Sequence, residues 1–181
     1  MTPLTFPVQT ERLSLRPHQM QDAEPLHAIY SNPQVARFLL DEPWTREDAD
    51  AKVAEQLPKT DLDGESGALA LVIEHEGAAI GDVALWLTDR EHFLAEIGWV
   101  LDPGFGGRGF AAEAAQAVLD LAFDRYRVHR VAAQMDARNT ASAKLASKIG
   151  MTREAHLRAD WWSKGEWTDT VIFGVLATDR A

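Results

Sequence analysis

Alternating and helical patterns divide the first part of the chain. In RLSLRP, Leu13 and Leu15 lie on one face and polar residues on the other, which predicts a short strand that Pro17 ends. Three helices are predicted next, over MQDAEPLHAIYSNP, over NPQVARFL with Asn32 as its N-cap, and from a capping box at Thr45 onward. The segment PKTDLDGESG, rich in glycine and aspartate, is predicted to be a surface loop.

From Ala68 the pattern favours strands. The segments ALALVIEH, AAIGDVALWLT and FLAEIGWVLD are apolar and are separated by turn residues, which predicts a meander of three antiparallel strands. In GRGFAAEAAQAVLDLAFDRY, apolar residues recur at steps of three and four, as in a helix packed on a sheet.

The last part of the chain predicts three more strands and one helix. HRVAAQMD is a strand, and NTASAKLASKIG is a helix with Gly150 as its C-cap. Strands near Thr152 to Trp162 and Thr168 to Thr178 follow, joined by SKGEW. The order β, helices, βββ, α, β, α, ββ predicts an α+β fold with mixed α/β layers and a largely antiparallel sheet.

Composition narrows the function classes. The 181 residues, 46% hydrophobic, suit one domain over residues 1–181. With 18 basic against 28 acidic residues the net charge is −10, which argues against nucleic acid and favours a cationic partner such as an amine. There is no cysteine, and the six histidines show no metal-ligand spacing, so we expect no metal.

Targeting signals are not apparent in the sequence. The opening residues show no charged segment followed by an apolar one, and no stretch approaches the roughly 18 apolar residues of a membrane span. We therefore expect a cytoplasmic protein without a membrane partner. The sequence is compatible with a homodimer.

The glycine cluster GFGGRG, Gly104 to Gly109, has the G-x-G-x-x-G form of a dinucleotide-binding turn. It follows the last strand of a meander, however, and Asp136 lies too far on to bind the ribose of a nicotinamide cofactor. Glycines ahead of a long helix still expose backbone N–H groups and the positive end of the helix dipole. With Arg108 inside the loop, the sequence favours a site for phosphate or pyrophosphate over a plain turn.

Several segments together resemble the GNAT superfamily of N-acetyltransferases. GGRGFA is similar to the family's pyrophosphate loop, Gln/Arg-x-x-Gly-x-Gly/Ala, although Gly106 stands where Gln or Arg is usual. AEIGWVLDPGFGGRGFAAEA, NTASAKLASKIGM and LRADWWSKGEWTDTVIFGVL resemble the branch that acetylates ribosomal-protein N-termini, with Met151 in place of an aromatic residue. The resemblance covers nearly the whole chain in the right order. It implies a central sheet of about seven strands, splayed in the middle and flanked by helices.

The resemblance also implies the cofactor and its contacts. Acetyl-CoA would place its pyrophosphate at the N–H groups of the glycine loop and pair its pantetheine arm along a strand edge beside the splay. The residues implied to bind it are Trp99, Val100, Leu101, Gly106, Gly107, Arg108, Gly109, Phe110, Ala111, Asn139 and Ser142.

Two residues are candidates for the chemistry. Glu96 lies beside the expected splay among apolar neighbours, where it would take a proton from the attacking amine directly or through a water; a solvated or structurally bonded glutamate fits the sequence equally well. Many GNAT enzymes place a tyrosine acid where this chain has Ala146, so the hydroxyl of Ser142 remains to donate to the thiolate or only to hold it. A backbone N–H of Trp99 or Val100 is the natural oxyanion donor.

Three functions stay open at this point. The sequence favours transfer of acetyl from acetyl-CoA to a primary amine, most of all a protein N-terminal α-amine, by direct attack. A small-molecule amine such as a polyamine, an amino acid or an aminoglycoside is the alternative acceptor. The missing tyrosine and Gly106 keep open a non-catalytic acyl-CoA sensor. Trp161, Trp162 and Trp167, near Asp160 and Asp169, form either a wall for a cationic amine or buried core.

Overall fold

One nine-stranded sheet runs through the structure, a computed structural model that describes residues 4–180. Residues 1–3 and 181 of the predicted domain lie outside the described residues. The strands are β1 Val8–Gln9, β2 Ser14–Pro17, β3 Thr60–Asp61, β4 Ala68–His75, β5 Ala78–Asp89, β6 Leu94–Leu101, β7 Arg130–Asp136, β8 Thr152–Ser163 and β9 Glu166–Leu176. Seven of them match the predicted strands, and the two added ones, β1 and β3, have two residues each.

The helices lie where the caps and the apolar periodicity predict them. They are α1 Ala23–Tyr30, α2 Pro33–Ala36, α3 Arg46–Gln56, α4 Phe110–Asp120 and α5 Thr140–Lys148. Asn32 caps α2 by accepting from the N–H of Gln34, and Thr45 with Asp48 forms the predicted capping box. The long predicted helix continues past α4 as a π-helical turn over Leu121–Arg125.

The helices cover the two faces of the sheet with separate apolar clusters. The larger cluster packs α4 and α5 against the strands, with Ala114, Val118 and Ile97 all buried. The smaller packs α1 against α3 on the other face, and Val100 of β6 contacts it. Side chains of β6 therefore alternate between the clusters, as a strand buried on both faces requires.

The predicted loop at Pro58 to Gly67 is wrong in its middle. Thr60 and Asp61 pair with the start of β4, and the next side chain, Leu62, is 1% exposed. This leucine has no alternating neighbours to reveal it, so the glycine and aspartate content of the segment outweighs it in the sequence.

The sheet order is β1-β2-β4-β5-β6-β7-β9-β8, and all its pairs are antiparallel except β6 with β7. These two parallel strands pair in register only from Leu94 with Arg130 to Glu96 with Ala132. Beyond that point β6 runs five residues further and β7 four, without pairing each other in the described structure. This confirms the predicted splay and places its apex at Glu96.

Gly81 fixes how closely β5 approaches β6 at the open end of the splay. A Cβ placed on Gly81 would lie 2.1 Å from the carbonyl oxygen of Val100, so only glycine fits there. The opposite edge of β6, which the splay exposes, therefore belongs to a strand that is held against β5 by direct backbone contact.

Candidate active site

A cavity of about 570 Å³ opens where β6 and β7 part. Glu96, Trp99, Asn139 and Ser142 all line it, so the structure brings together four residues that the sequence singles out from β6 and from the start of α5. More than 40 residues of chain separate Glu96 from Asn139 and Trp99 from Ser142. Their proximity follows from the crossover that carries the chain from β6 through α4 to the parallel strand β7.

Glu96 is half-buried at the apex of the splay. Burial raises the pKa of its carboxyl above the ordinary value of 4.5, and one hydrogen bond from Gln134 Nε2, at 3.3 Å, acts weakly in the opposite direction. Both residues line the cavity. A carboxylate with a raised pKa and one long hydrogen bond is suited to accept a proton.

Ser142 lies one turn into α5 with its hydroxyl held by a tryptophan. The indole Nε1 of Trp99 donates to Ser142 Oγ at 3.3 Å. Because an indole N–H only donates, the serine oxygen accepts in this contact and keeps its own proton for another partner. This contact between β6 and α5 has no signal in the sequence.

Asn139 is the N-cap of α5, and its Oδ1 accepts from the N–H of Ser142 at 3.1 Å. The cap fixes where α5 begins and therefore where Ser142 points. It commits the carbonyl oxygen of the side chain and leaves the Asn139 amide nitrogen as the group available to a ligand.

The glycine loop has the geometry of an anion site. Gly107 and Gly109 have φ of 75° and 82°, in the left-handed region, and Gly109 is the N-cap of α4 without a side-chain cap. The first N–H groups of α4 are thus presented to a ligand with the positive end of the helix dipole. Gly106 differs, because its φ of −63° suits any residue.

Two further cationic side chains, Arg12 and Lys148, lie beside this loop, and nothing in the sequence near the loop indicates them. A Cβ placed on Gly109 would lie 3.5 Å from Arg12 Nη2 and 3.6 Å from Lys148 Nζ. Arg12 also donates to the carbonyl oxygen of Arg108 at 3.0 Å and pairs with Glu113 of α4 at 2.7 Å. Arg12 lies about 100 residues before the loop and Lys148 about 40 after it, so only the fold assembles this basic cluster.

A cluster of three polar side chains also lines the cavity, and no motif in the sequence indicates it. The hydroxyl of Tyr30 donates to Asp82 Oδ1 at 2.6 Å, and His18 Nε2 lies 3.4 Å from Asp82 Oδ2. Burial and the charge of Asp82 raise the pKa of Tyr30 well above 10. All three residues line the cavity, so Asp82 contributes a further carboxylate to it besides that of Glu96.

The aromatic cluster of the final hairpin is mostly outside the cavity. Of its tryptophans only Trp161 lines it, whereas Trp162 and Trp167 are 58% and 62% exposed and contact each other edge to face. The two carboxylates hydrogen-bond to the backbone of the hairpin: Asp160 accepts from the N–H of Thr170, and Asp169 accepts from the N–H of Ala159. Trp86 of β5 also lines the cavity.

The described residues form neither a metal site nor a membrane-spanning helix. Between residues 4 and 180, no group of three or more acidic or histidine side chains is placed to hold a metal ion. In the same range, no helix has the length and apolar content that crossing a membrane demands.

Comparison with known proteins gives one consistent family. The profile described as the acetyltransferase (GNAT) domain matches residues 12–152. The uncharacterized N-acetyltransferase p20 of Bacillus licheniformis is 29% identical over 95% of this chain and 97% of its own length. The spermidine N(1)-acetyltransferase of Escherichia coli K12 is 23% identical over 88% of this chain and 83% of its own.

Solved structures share the whole fold. A GNAT-family acetyltransferase from Bacillus anthracis superposes with a TM-score of 0.85 at 29% identity, covering 94% of this chain and 98% of the other. The ribosomal-protein α-N-acetyltransferase RimL, in complex with coenzyme A, reaches 0.83 at 19% identity over 95% and 98%. The spermidine N-acetyltransferase of Vibrio cholerae, in complex with coenzyme A and spermine, reaches 0.79 at 20% identity over 94% and 98%.

Proposed function

Because this chain belongs to the GNAT acetyltransferase family and so transfers acetyl from acetyl-CoA to an amine, we propose that its acceptor is a protein N-terminal α-amine that attacks the thioester directly. The observation that carries the proposal is the shared cavity of Glu96 and Ser142 at the splay. A base and a hydroxyl donor on opposite walls of one cavity are what direct transfer between two bound substrates requires.

Acetyl-CoA supplies the activated acetyl group, and the residues present fit it. The unpaired edge of β6 over Trp99, Val100 and Leu101 offers backbone groups to the pantetheine amides, as an added strand would use them. The N–H groups from Gly107 to Ala111 would hold the pyrophosphate, and Arg12, Arg108 and Lys148 would add positive charge. The side chain missing at Gly106 is thus offset by cations from elsewhere in the chain.

Glu96 acts as the general base in this proposal. It removes the proton that the amine nitrogen releases as its bond to the acetyl carbon forms. An α-amine has a pKa of about 8, against about 10.4 for a lysine, so a glutamate deprotonates the α-amine more readily than the lysine. The N–H of Trp99 or Val100 donates to the oxygen that becomes negative during attack.

Ser142 donates a hydrogen bond to the leaving sulfur as the carbon–sulfur bond breaks, and the coenzyme A thiolate then takes its proton from solvent. Its hydroxyl is oriented for this by the Trp99 indole, which occupies one acceptor site on the oxygen, and by the cap that Asn139 makes at the start of α5. A serine is a weak acid, but a coenzyme A thiolate is a fair leaving group and needs only a weak donor.

A polyamine is the second candidate acceptor, and a specific feature favours it. Asp82 and Glu96 both line the cavity and lie on the same face of the sheet, four residue positions apart along the paired strands β5 and β6, so a long amine with two charges would find a carboxylate for each. The similarity to the Escherichia coli spermidine N(1)-acetyltransferase supports the same acceptor.

The experiment follows free thiol release from acetyl-CoA with a panel of N-terminal peptides, polyamines, amino acids and aminoglycosides. We expect the best kcat/KM with peptides, and a clear preference for polyamines would replace the first candidate by the second. Calorimetric titration with acetyl-CoA and NAD runs beside it. Acetyl-CoA binding without turnover on any amine would favour a sensor, and tight NAD binding without coenzyme A binding would overturn the proposal.

A further inference from the structure

The turn between β8 and β9 reaches across the mouth of the cavity. It consists of Lys164 and Gly165, both with positive φ, of 50° and 83°, which is the signature of a two-residue type I′ hairpin turn. Asparagine and glycine are the residues such turns favour, so lysine is conformationally disfavoured at the first position. Its side chain makes the contacts that offset this cost.

Lys164 binds the opposite wall of the cavity. Its ammonium donates to the carbonyl oxygen of Leu39 at 2.6 Å and also to that of Ala36, at the end of α2. Both carbonyls lie at or just beyond a helix C-terminus, where a cation is favoured. The contact spans about 125 residues of sequence, and we call it the Lys164 latch.

The latch joins two segments that both line the cavity. One is residues 37–41, and the other is the hairpin, with Trp161, Ser163 and Thr168. The same turn is held at its other end, because Glu166 accepts from Arg138 at 2.8 Å, directly before Asn139. The turn is therefore fixed both to residues 36–39 and to the loop that leads into α5.

We propose that Lys164 is a positioning residue that sets the width of the acceptor entrance and thereby the size of amine that the enzyme selects. This inference rests on the proposed acetyl transfer for its catalytic consequence but not for the latch itself. Without the ammonium, residues 37–41 and the hairpin move apart. The preferred acceptor then binds more weakly, and the kcat/KM of bulkier amines rises relative to that of the preferred acceptor.

The test compares Lys164→Asn, which suits the positive φ but cannot reach the carbonyls, with Lys164→Arg, which keeps a cation and its donors. Hydrogen exchange is measured over residues 36–41 and 161–167. We expect the Asn variant to exchange at least tenfold faster in both segments, since it loses two charge-assisted hydrogen bonds and one alone is worth about tenfold. Exchange in β4 and the affinity for acetyl-CoA should stay unchanged, and the Arg variant should restore most of the protection.

Kinetics then test selectivity. With the best amine of the panel, the Asn variant should raise KM about tenfold with a smaller change in kcat, and narrow the kcat/KM gap between that amine and bulkier ones. Unchanged exchange in both segments overturns the latch, and faster exchange with unchanged KM and selectivity overturns its role at the entrance. A wild-type protein that acetylates no amine overturns the proposed function and the selectivity role together, whereas exchange still decides the latch.

Discussion

At the scale of single residues, Glu96 combines a raised pKa with a position at the apex of the splay. Sequence alternation places it among apolar neighbours but leaves open whether it is solvated or catalytic. Its half-buried carboxyl, with one long hydrogen bond from Gln134, favours the catalytic interpretation.

Replacing Glu96 by Gln should lower kcat by about 10²-fold at neutral pH, the low end of the range for losing a general base. The loss should shrink as pH rises, because amines then deprotonate unaided. In the wild type, activity should rise with pH through the raised pKa of Glu96. If the two pH profiles of kcat/KM run parallel, Glu96 is not the base.

Stability provides the control for this variant. A carboxyl whose pKa is higher in the folded state favours folding in its protonated form, and that contribution is lost as pH rises through the folded pKa. Glutamine carries no charge at any pH. The Glu96→Gln variant should therefore unfold at the same temperature as the wild type, or a higher one, at pH 7 to 8, which thermal denaturation measures.

Ser142→Ala should lower kcat about tenfold and leave the affinity for acetyl-CoA within about twofold, since the hydroxyl acts late, on the departing sulfur. Trp99→Phe removes the indole N–H that orients Ser142 and should act in the same direction but less strongly. Calorimetry and steady-state kinetics separate the two effects. A large loss of affinity with kcat preserved would make Ser142 a binding residue instead.

At the scale of elements, the loop before α4 shows that its glycines are not equivalent. Gly107 needs the left-handed region, whereas Gly106 has an ordinary φ. Gly106, where the chain departs from the family pattern, is thus the one of these two glycines whose backbone conformation other residues also adopt.

Gly107→Ala should weaken acetyl-CoA binding about tenfold, because a left-handed alanine costs about 1–2 kcal/mol or else the loop changes shape and its N–H groups turn from the pyrophosphate. Gly106→Ala is the matched control and should bind acetyl-CoA nearly as well as the wild type. Calorimetric titration of both variants measures the difference. Equal losses would mean that loop geometry does not govern the site.

At the scale of the whole molecule, an ion pair joins strand β2 of the sheet to the start of helix α1. Asp22, directly before α1, accepts from Arg16 of β2 at 2.8 Å and is 2% exposed. Burial opposes its ionisation, but hydrogen bonds from Arg16 and from the N–H of Gln19 outweigh it and lower the pKa of Asp22.

Asp22→Asn should reduce the free energy of unfolding at pH 7 by about 2 kcal/mol, since it removes one of the two carboxylates that pair with the Arg16 guanidinium and leaves only Glu74. A lowered carboxyl pKa gives stability that is present above the unfolded value, near 3.8, and is lost as pH falls through the folded one. Urea unfolding at pH 7 and at pH 3 should therefore differ less in the variant than in the wild type. An unchanged difference would assign the acid sensitivity to other carboxylates.

The sequence by itself determined most of the elements and the family. Caps at Asn32, Thr45 and Gly150, apolar periodicity in α4 and the glycines before it are local signals, because helix and strand geometry repeats over two to four residues. They were sufficient for seven of the nine strands and for the five helices, and the resemblance carried by several whole segments indicated the family.

Only the tertiary structure decided which distant residues meet. The cations Arg12 and Lys148 at the glycine loop, the Trp99 contact to Ser142 and the Lys164 latch each join segments separated by about 40 to 125 residues. Each of these side chains is ordinary in its own segment, since neighbouring residues neither require nor reveal its partner. The contacts arise when the crossover brings α5 beside β6 and the final hairpin turns over the cavity, and packing of the whole chain fixes both.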